Sequence, residues 1–370
     1  MKAVQRHLYS SLILLMLSAA AAGVAPGAEK SGPPPVRKLT PEQSEVAAGN
    51  YRKYCVLCHG ADRQGYANDH APSLRSRSLF ESGVPHAVLR PIQYGRQGTA
   101  MGGYLDEVGG PMTLDETWDL TYWLFEQSGV ERVALSTDPV HGDSALGQNL
   151  YQKNCTACHG LKGEGVNAPA IGNPSALAHN SDEFIRHAIQ NGRQDTPMKA
   201  FRNTLSVKDI NDLTAFLRSR SGGWTMEKTL LQPLPQPDEF VINPSGQHPD
   251  FKLTDGLYVS SKDLHEALIA KRKMVLLDTR VTSVWQMAHI EGSFPLPYYS
   301  DFDAVTAHLP KDVMIVAYCS CPRAAADSVV EQLRERGFSK TAVLYEGIFG
   351  WMHLGYPVSR SKGVEKIVHD

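Results

Sequence analysis

Two pairs of thiols, each followed at once by an imidazole, stand 100 residues apart: Cys55-Val56-Leu57-Cys58-His59 and Cys155-Thr156-Ala157-Cys158-His159. This order is the signature of c-type haem attachment. Each thiol adds to one of two vinyl groups on a porphyrin edge, and the adjacent imidazole is held beneath the iron as proximal ligand. Multiplying Cys and His frequencies over this length predicts roughly 0.004 such motifs by chance, and two are present. Zinc knuckles or a pair of redox dithiols would use the same Cys pairs, but each leaves both histidines unexplained. Covalent haem at two places makes electron transfer the first functional expectation.

The chain has 370 residues, of which 42% are hydrophobic and 21% charged, an ordinary globular composition of two or three domains. A formal net charge of -2 gives no support to nucleic-acid binding, which wants a basic surface. At the N-terminus Lys2 and Arg6 precede an apolar run from Leu8 to about Ala22 and then small residues. This reads as an export signal over residues 1–28, cleaved after Ala22 or Ala28, with membrane attachment only if the segment is retained. The absence of a cysteine at its end argues against a lipid anchor. Haem attachment outside the cytoplasm and an export signal together point to the periplasm of a bacterium.

The surroundings of the two motifs also match: Tyr51 with Tyr151, Lys53 with Lys153, Gly60 with Gly160, Gly65 with Gly165. Further on, Gly95-Arg96-Gln97-Gly98-Thr99-Ala100-Met101 parallels Gly192-Arg193-Gln194-Asp195-Thr196-Pro197-Met198, and each is followed by a helical apolar pattern, Leu120, Trp123, Leu124 against Leu213, Phe216, Leu217. A duplicated unit is the natural reading, each copy running helix, attachment motif, loop, short helix, methionine loop, closing helix. Both copies resemble class I cytochromes c, over Glu42 to Gln127 and Ser144 to Arg220, which implies two all-α domains at 42–130 and 140–222. The resemblance implies two covalently bound haem c groups, held by Cys55 and Cys58 and by Cys155 and Cys158. It makes His59 and His159 proximal iron ligands, and Met101 and Met198 the sixth ligands. Thioether ligation raises the reduction potential and leaves no open position for substrate. In the first copy a longer Gly-rich loop from Gly102 to Met112 makes Met112 and His70 competitors of Met101. His86, His141, His179 and His187 read as surface or satisfied core residues.

From residue 223 to 250, Pro233, Pro235, Pro237 and Pro244 are spaced through polar residues, the composition of an extended linker, with Trp224 and Phe240 needing some surface to lie against. Beyond it, Met274 to Asp278, Val313 to Tyr318 and Ala342 to Tyr345 read as buried parallel strands, and Ala325 to Arg336 as a helix closed by Gly337. This is an α/β domain with a parallel sheet over 251–362. Its motifs are similar to the rhodanese family in its single-domain form: Leu277-Asp278-Thr279-Arg280, His289-Ile290-Glu291-Gly292-Ser293, Tyr318-Cys319, and Glu346-Gly347-Ile348-Phe349-Gly350-Trp351. In that family a cysteine at a strand end carries sulfur as a persulfide. A thiol there faces helix N–H dipoles, which stabilise thiolate and persulfide charge.

The loop departs from the family pattern. It runs Cys319-Ser320-Cys321-Pro322-Arg323, with the arginine one position early and a second thiol, so Cys319 and Cys321 both stand as candidate nucleophiles. Arg323 is the candidate to attract a small anionic sulfur compound, and Asp278 with Arg280 is an ion pair bracing the loop. The sequence reading is therefore an exported dihaem cytochrome joined to a rhodanese-like domain. Electrons from sulfur chemistry at the cysteine loop would pass through the haems to a soluble cytochrome or membrane oxidase. Two alternatives stand beside it: a pure electron carrier whose third domain is an inactive docking or sensing module, and a copper site at the twin thiols.

Overall fold

The computed structural model describes residues 36–370 except 67, 69, 97, 222–223, 230, 321–322, 361–363 and 370. The export segment at 1–28, and Cys321 with Pro322, therefore lie outside the described residues. No helix among the described residues is long and apolar enough to cross a membrane.

The first part of the chain is helical: α1 (Pro41–Tyr54), α2 (Val56–His59), α3 (Arg77–Ser82), α4 (Pro85–Tyr94) and α5 (Leu114–Ser128). The same succession follows as α6 (Ser144–Asn154), α7 (Thr156–His159), α8 (Pro174–His179), α9 (Asp182–Asn191) and α10 (Val207–Ser219). Side chains placed to take up orphan N–H groups start the long helices. Thr40 with Gln43, Thr113 with Glu116 and Ser206 with Asp209 form capping boxes, and Asp143 accepts from the N–H groups of Ala145 and Leu146. Each set has its own core. Tyr51, Phe80, Ile92, Leu120 and Leu124 cluster in the first, and Tyr151, Ile185, Ile210, Leu213 and Phe216 in the second. Leu213 and Leu217, four apart on α10, show why an amphipathic helix closes the set, since each buried side chain of this size contributes ~1.5–3 kcal/mol. The two sets meet where Ser78 Oγ donates to the Gly192 carbonyl at 2.6 Å and accepts from Arg193 Nη1 at 2.9 Å.

The remainder is α/β: β1 (Trp224–Thr229), β2 (Val241–Ile242), β3 (Tyr258–Val259), α11 (Ser261–Ile269), β4 (Met274–Asp278), α12 (Thr282–Met287), β5 (Phe294–Pro295), α13 (Phe302–Thr306), β6 (Met314–Tyr318), α14 (Ala324–Glu335), β7 (Thr341–Leu344), α15 (Gly347–His353) and β8 (Val364–His369). The main sheet has the order β2-β4-β6-β7-β3, with β5 beside the end of β4. It is mixed, which corrects the expectation of a purely parallel sheet: β2 runs antiparallel to β4, pairing Val241 with Val275 and Ile242 with Met274. The reason lies in the stretch read as linker. It lays Phe240 into the core at 4% exposure and adds an edge strand as it enters, where no crossover helix dictates direction. β1, in the same stretch, pairs antiparallel with β8.

Side chains of the central strands alternate between two cores, as period-two geometry requires. Val275, Leu277, Ile315, Ala317 and Cys319 face the cluster covered by Val329, Val330 and Leu333 of α14. Met274, Leu276, Val316 and Tyr318 face the cluster covered by Leu264 of α11 and Trp351 of α15.

The α/β part docks on the first helical set, and the extra residues of the Gly-rich loop make the contact. Ser283 Oγ donates to the Gly103 carbonyl at 2.5 Å, and a Cβ on Gly102 would stand 2.1 Å from Val281 Cγ1. Val281, Val284 and Tyr299 pack into the first helical core, while Leu57, between the two thiols of the first motif, packs against the α14-side core.

Candidate haem-attachment and thiol sites

Each Cys-x-x-Cys-His motif is a single helical turn hung on the end of a long helix. Cys55 caps α1 through its N–H to the Tyr51 carbonyl at 2.9 Å, and Cys155 caps α6 through the Tyr151 carbonyl at 2.9 Å. Tyr51 and Tyr151 then reach over the turns, their hydroxyls donating to the carbonyls of Gly60 and Gly160 at 2.8 and 2.9 Å. His59 Nδ1 lies 2.9 Å from the Pro72 carbonyl and His159 Nδ1 lies 2.9 Å from the Pro169 carbonyl. A carbonyl only accepts, so the proton sits on Nδ1 and each Nε2 presents a lone pair, the tautomer an iron ligand needs. Burial pulls both imidazoles below the ordinary pKa and so favours the neutral form, an effect the two carbonyls oppose without cancelling. Gly65 is required for this arrangement: at φ +73° it lets the returning loop pass, and a Cβ there would stand 2.4 Å from Ser73 N.

Among the described cysteines none is in a disulfide. Burial raises Cys55 to about 12 and Cys155 to about 11, so both stay protonated at neutral pH. Zinc wants thiolates in a set of four ligands, and no group of three or more His, Cys, Asp or Glu among the described residues stands together to hold a metal ion.

The methionine loops are built alike. Arg96 N donates to the Met101 carbonyl at 2.8 Å, and Arg193 N to the Met198 carbonyl at 2.9 Å. Thr99 and Thr196 each donate to the arginine carbonyl at 2.7 Å and accept from the methionine N–H at 3.2 Å. These threonines, matched two residues before each methionine in the repeat, take their bracing role only in the folded loop. Met101 lies half-buried at the edge of the first core, whereas Met112 is 1% exposed inside it and His70 is exposed. Desolvation draws Arg96 and Arg193 down to about 10, so both remain cations at neutral pH. The Arg96 side chain has no hydrogen bond or ion pair with any described residue. A desolvated cation beside each methionine loop suits a group bearing carboxylates, as a porphyrin does. The residues present therefore fit haem.

Cys319 sits at the end of β6, 5% exposed, with its carbonyl accepting from Ile348 N at 2.9 Å. Gly347, at φ +60°, makes this approach possible: a Cβ there would stand 2.3 Å from the Ser320 carbonyl oxygen. Asp278 and Arg280 form a buried fork, Nε to Oδ1 at 2.8 Å and Nη2 to Oδ2 at 2.5 Å, and Arg280 Nη2 also reaches the Ala288 carbonyl at 2.6 Å. Desolvation would lower Arg280, but the Asp278 carboxylate and, less strongly, the Cys319 thiol hold it above its ordinary value. The Arg323 guanidinium lies 4.5 and 4.4 Å from the ring centroids of Tyr258 and Tyr345 and donates to the Tyr345 carbonyl at 3.1 Å.

Comparison with known proteins bears on both parts. Residues 142–217 match the model of cytochrome c oxidase, cbb3-type, subunit III, and residues 260–354 match the rhodanese-like domain. The chain carries a cytochrome c domain and a rhodanese-like domain. A cbb3-type cytochrome c oxidase subunit CcoP from Azospirillum is 25% identical over 47% of this chain and 60% of its own length. The FixP subunit from Bradyrhizobium diazoefficiens is 26% identical over 55% and 69%, and a cytochrome bc1 complex cytochrome c subunit from Corynebacterium efficiens is 26% identical over 48% and 64%. The chain thus spans about six tenths of the length of the first of these relatives. Among solved structures, a rhodanese-like domain from Anabaena aligns at TM-score 0.26 with 24% identity, covering 28% of this chain and 78% of its own.

Proposed function

We propose that this protein is a periplasmic electron carrier with two haem c groups, one in each helical set, whose rhodanese-like domain performs sulfane-sulfur chemistry at Cys319. The first haem would be held by Cys55 and Cys58 with His59 and Met101 as iron ligands, and the second by Cys155 and Cys158 with His159 and Met198. Bound haem supplies one-electron chemistry. The chain's own contribution is to fix the imidazole tautomers through Pro72 and Pro169, to hold the methionine loops through Thr99 and Thr196, and to place Arg96 and Arg193 beside them. The observation that carries this reading is the repetition of one hydrogen-bond pattern around both histidines and both methionines. Met101 is favoured over Met112 because Met112 already serves the core.

The relatives in cbb3-type oxidases and a bc1 complex support a respiratory oxidase, or a soluble cytochrome leading to one, as electron partner. In the rhodanese-like domain, Cys319 would take sulfur from a small anionic inorganic donor. Two measurements test the whole. A pyridine haemochrome assay gives two haem c per chain, and one or none refutes the dihaem assignment. Sodium sulfide added to the oxidised protein gives the ferrous haem spectrum, because joining hydrosulfide to the Cys319 thiolate releases two electrons, and equal reduction in Cys319→Ser refutes the sulfur coupling. The burial of Cys319 and the stacking of Arg323 between two tyrosines favour a second reading, a docking module without transfer activity. Mass spectrometry separates the two, since only the active domain gains one sulfur atom after donor treatment.

A further inference from the structure

The two attachment turns are not equivalent toward the rhodanese-like domain. Tyr298, in the segment after β5, donates its hydroxyl to the Tyr54 carbonyl at 2.5 Å and lies 3.3 Å from the Tyr104 hydroxyl, which itself lies 3.3 Å from that carbonyl. Tyr54 immediately precedes Cys55. Burial drives the Tyr298 phenol well above its ordinary pKa, with the Tyr104 hydrogen bond opposing it, so the hydroxyl stays protonated and keeps donating to the Tyr54 carbonyl. At its other end Tyr298 N donates to the Thr279 carbonyl at 3.2 Å, and Thr279 donates twice to the Tyr318 carbonyl, from N at 2.9 Å and from Oγ1 at 3.0 Å. Tyr318 immediately precedes Cys319. A continuous chain of covalent and hydrogen bonds therefore joins Cys319 to Cys55 through Tyr318, Thr279, Tyr298 and Tyr54. The second turn makes its hydrogen bonds within its own half, with Cys158 exposed. The two halves are themselves joined, through Ser78 with the Gly192 carbonyl and Arg193.

We propose that Tyr298 is the junction between the sulfur site and the first haem, so that electrons released at Cys319 enter at Cys55 and Cys58 and reach the haem of Cys155 and Cys158 second. This deepens the sulfur-chemistry reading and rests on it. The substrate class is a hydrosulfide ion. Its sulfur and the Cys319 thiolate would form one S–S bond, giving a persulfide anion; the hydrosulfide proton would leave to solvent, and two ferric haems, one held by Cys55 and Cys58 and one by Cys155 and Cys158, would take up one electron each. Tyr298 touches neither sulfur nor iron and is a positioning residue, acting through the Tyr54 carbonyl.

The test uses the full-length, oxidised, haem-loaded protein mixed rapidly with sodium sulfide, comparing wild type with Tyr298→Phe, Tyr298→Leu and Cys319→Ser. The Cys319-dependent phase of haem reduction slows several-fold in both Tyr298 variants. Redox-neutral sulfur loading of Cys319 from polysulfide, read by mass, and both haem midpoint potentials stay at wild-type values, which a merely structural defect would move. Tyr298→Phe keeps the ring and serves if Tyr298→Leu does not fold. Wild-type rates in Tyr298→Phe overturn the junction while leaving the sulfur reading intact, whereas wild-type rates in Cys319→Ser overturn the reading beneath it. A Cys155→Ala, Cys158→Ala chain keeps the fast phase for its single haem, and its loss there overturns the order.

Discussion

Replacing Asp278 by Asn keeps the shape of the side chain and removes the charge that faces Arg280. The Asp278 side chain is fully buried and that of Arg280 is 7% exposed, so water does not take over the guanidinium when the carboxylate is gone. Removing one partner of such a pair costs ~3–5 kcal/mol, chiefly because the other charge is left buried and uncompensated. The exposed pair of Arg52 and Glu45, whose side chains are 63% and 77% exposed, gives the contrast, and its loss through Glu45→Gln costs only ~0.2–1 kcal/mol. The assay is urea unfolding of the haem-loaded chain, with tryptophan emission reporting the rhodanese-like domain through buried Trp285 and Trp351 and Soret absorption reporting the helical part. Asp278→Asn lowers the fluorescence midpoint and leaves the Soret midpoint near wild type. A double replacement, Asp278→Leu with Arg280→Met, recovers most of the loss, because packed apolar groups need no partner. A loss no larger than that of Glu45→Gln, or a double variant worse than the sum of its singles, refutes the burial argument.

Three further outcomes are expected. Gly347→Ala forces a Cβ to 2.3 Å from the Ser320 carbonyl at a φ of +60°, which costs ~1–3 kcal/mol in strain and displaces the cysteine loop; a thermal melt and sulfur loading of Cys319 both fall, and an unchanged melt contradicts the close approach. Met198→His replaces a thioether by an imidazole and lowers the midpoint potential of one haem in a spectroelectrochemical titration, while an unmoved potential removes Met198 from the ligand set. His289, stacked 4.1 Å from Trp285 with Nδ1 donating to the Trp285 carbonyl at 2.8 Å, has its pKa lowered by burial. The neutral form is favoured on folding, so its contribution is complete above the unfolded value near ~6.5 and is lost as pH falls through the lowered folded value, with a slope of at most ~1.4 kcal/mol per pH unit. His289→Gln flattens the acid side of the stability profile, and an unchanged slope between pH 7 and 5 refutes the assignment.

What residues decide with their near neighbours was legible in the sequence. Two thiols and an imidazole within five positions specify one helical turn, the apolar spacing of Leu120 with Leu124 and of Leu213 with Leu217 specifies the closing helices, and a run such as Met274 to Asp278 reads as buried strand. The repeat likewise announced that Tyr51 and Tyr151, or Gly95-Arg96 and Gly192-Arg193, do the same work twice. What tertiary structure decided are pairings whose partners lie far along the chain. It made Met112 a core residue and left Met101 at the core's edge, and it drew Arg323 between two tyrosines. It turned part of a proline-rich stretch into an antiparallel edge strand. The Gly-rich loop looked like an irregular insertion because nothing near Gly102 or Gly103 in sequence reveals that Val281 and Ser283 will press against it. Spacing and periodicity are properties of adjacent bonds and survive in any context, whereas a docking contact exists only once two separately folded surfaces have excluded water between them.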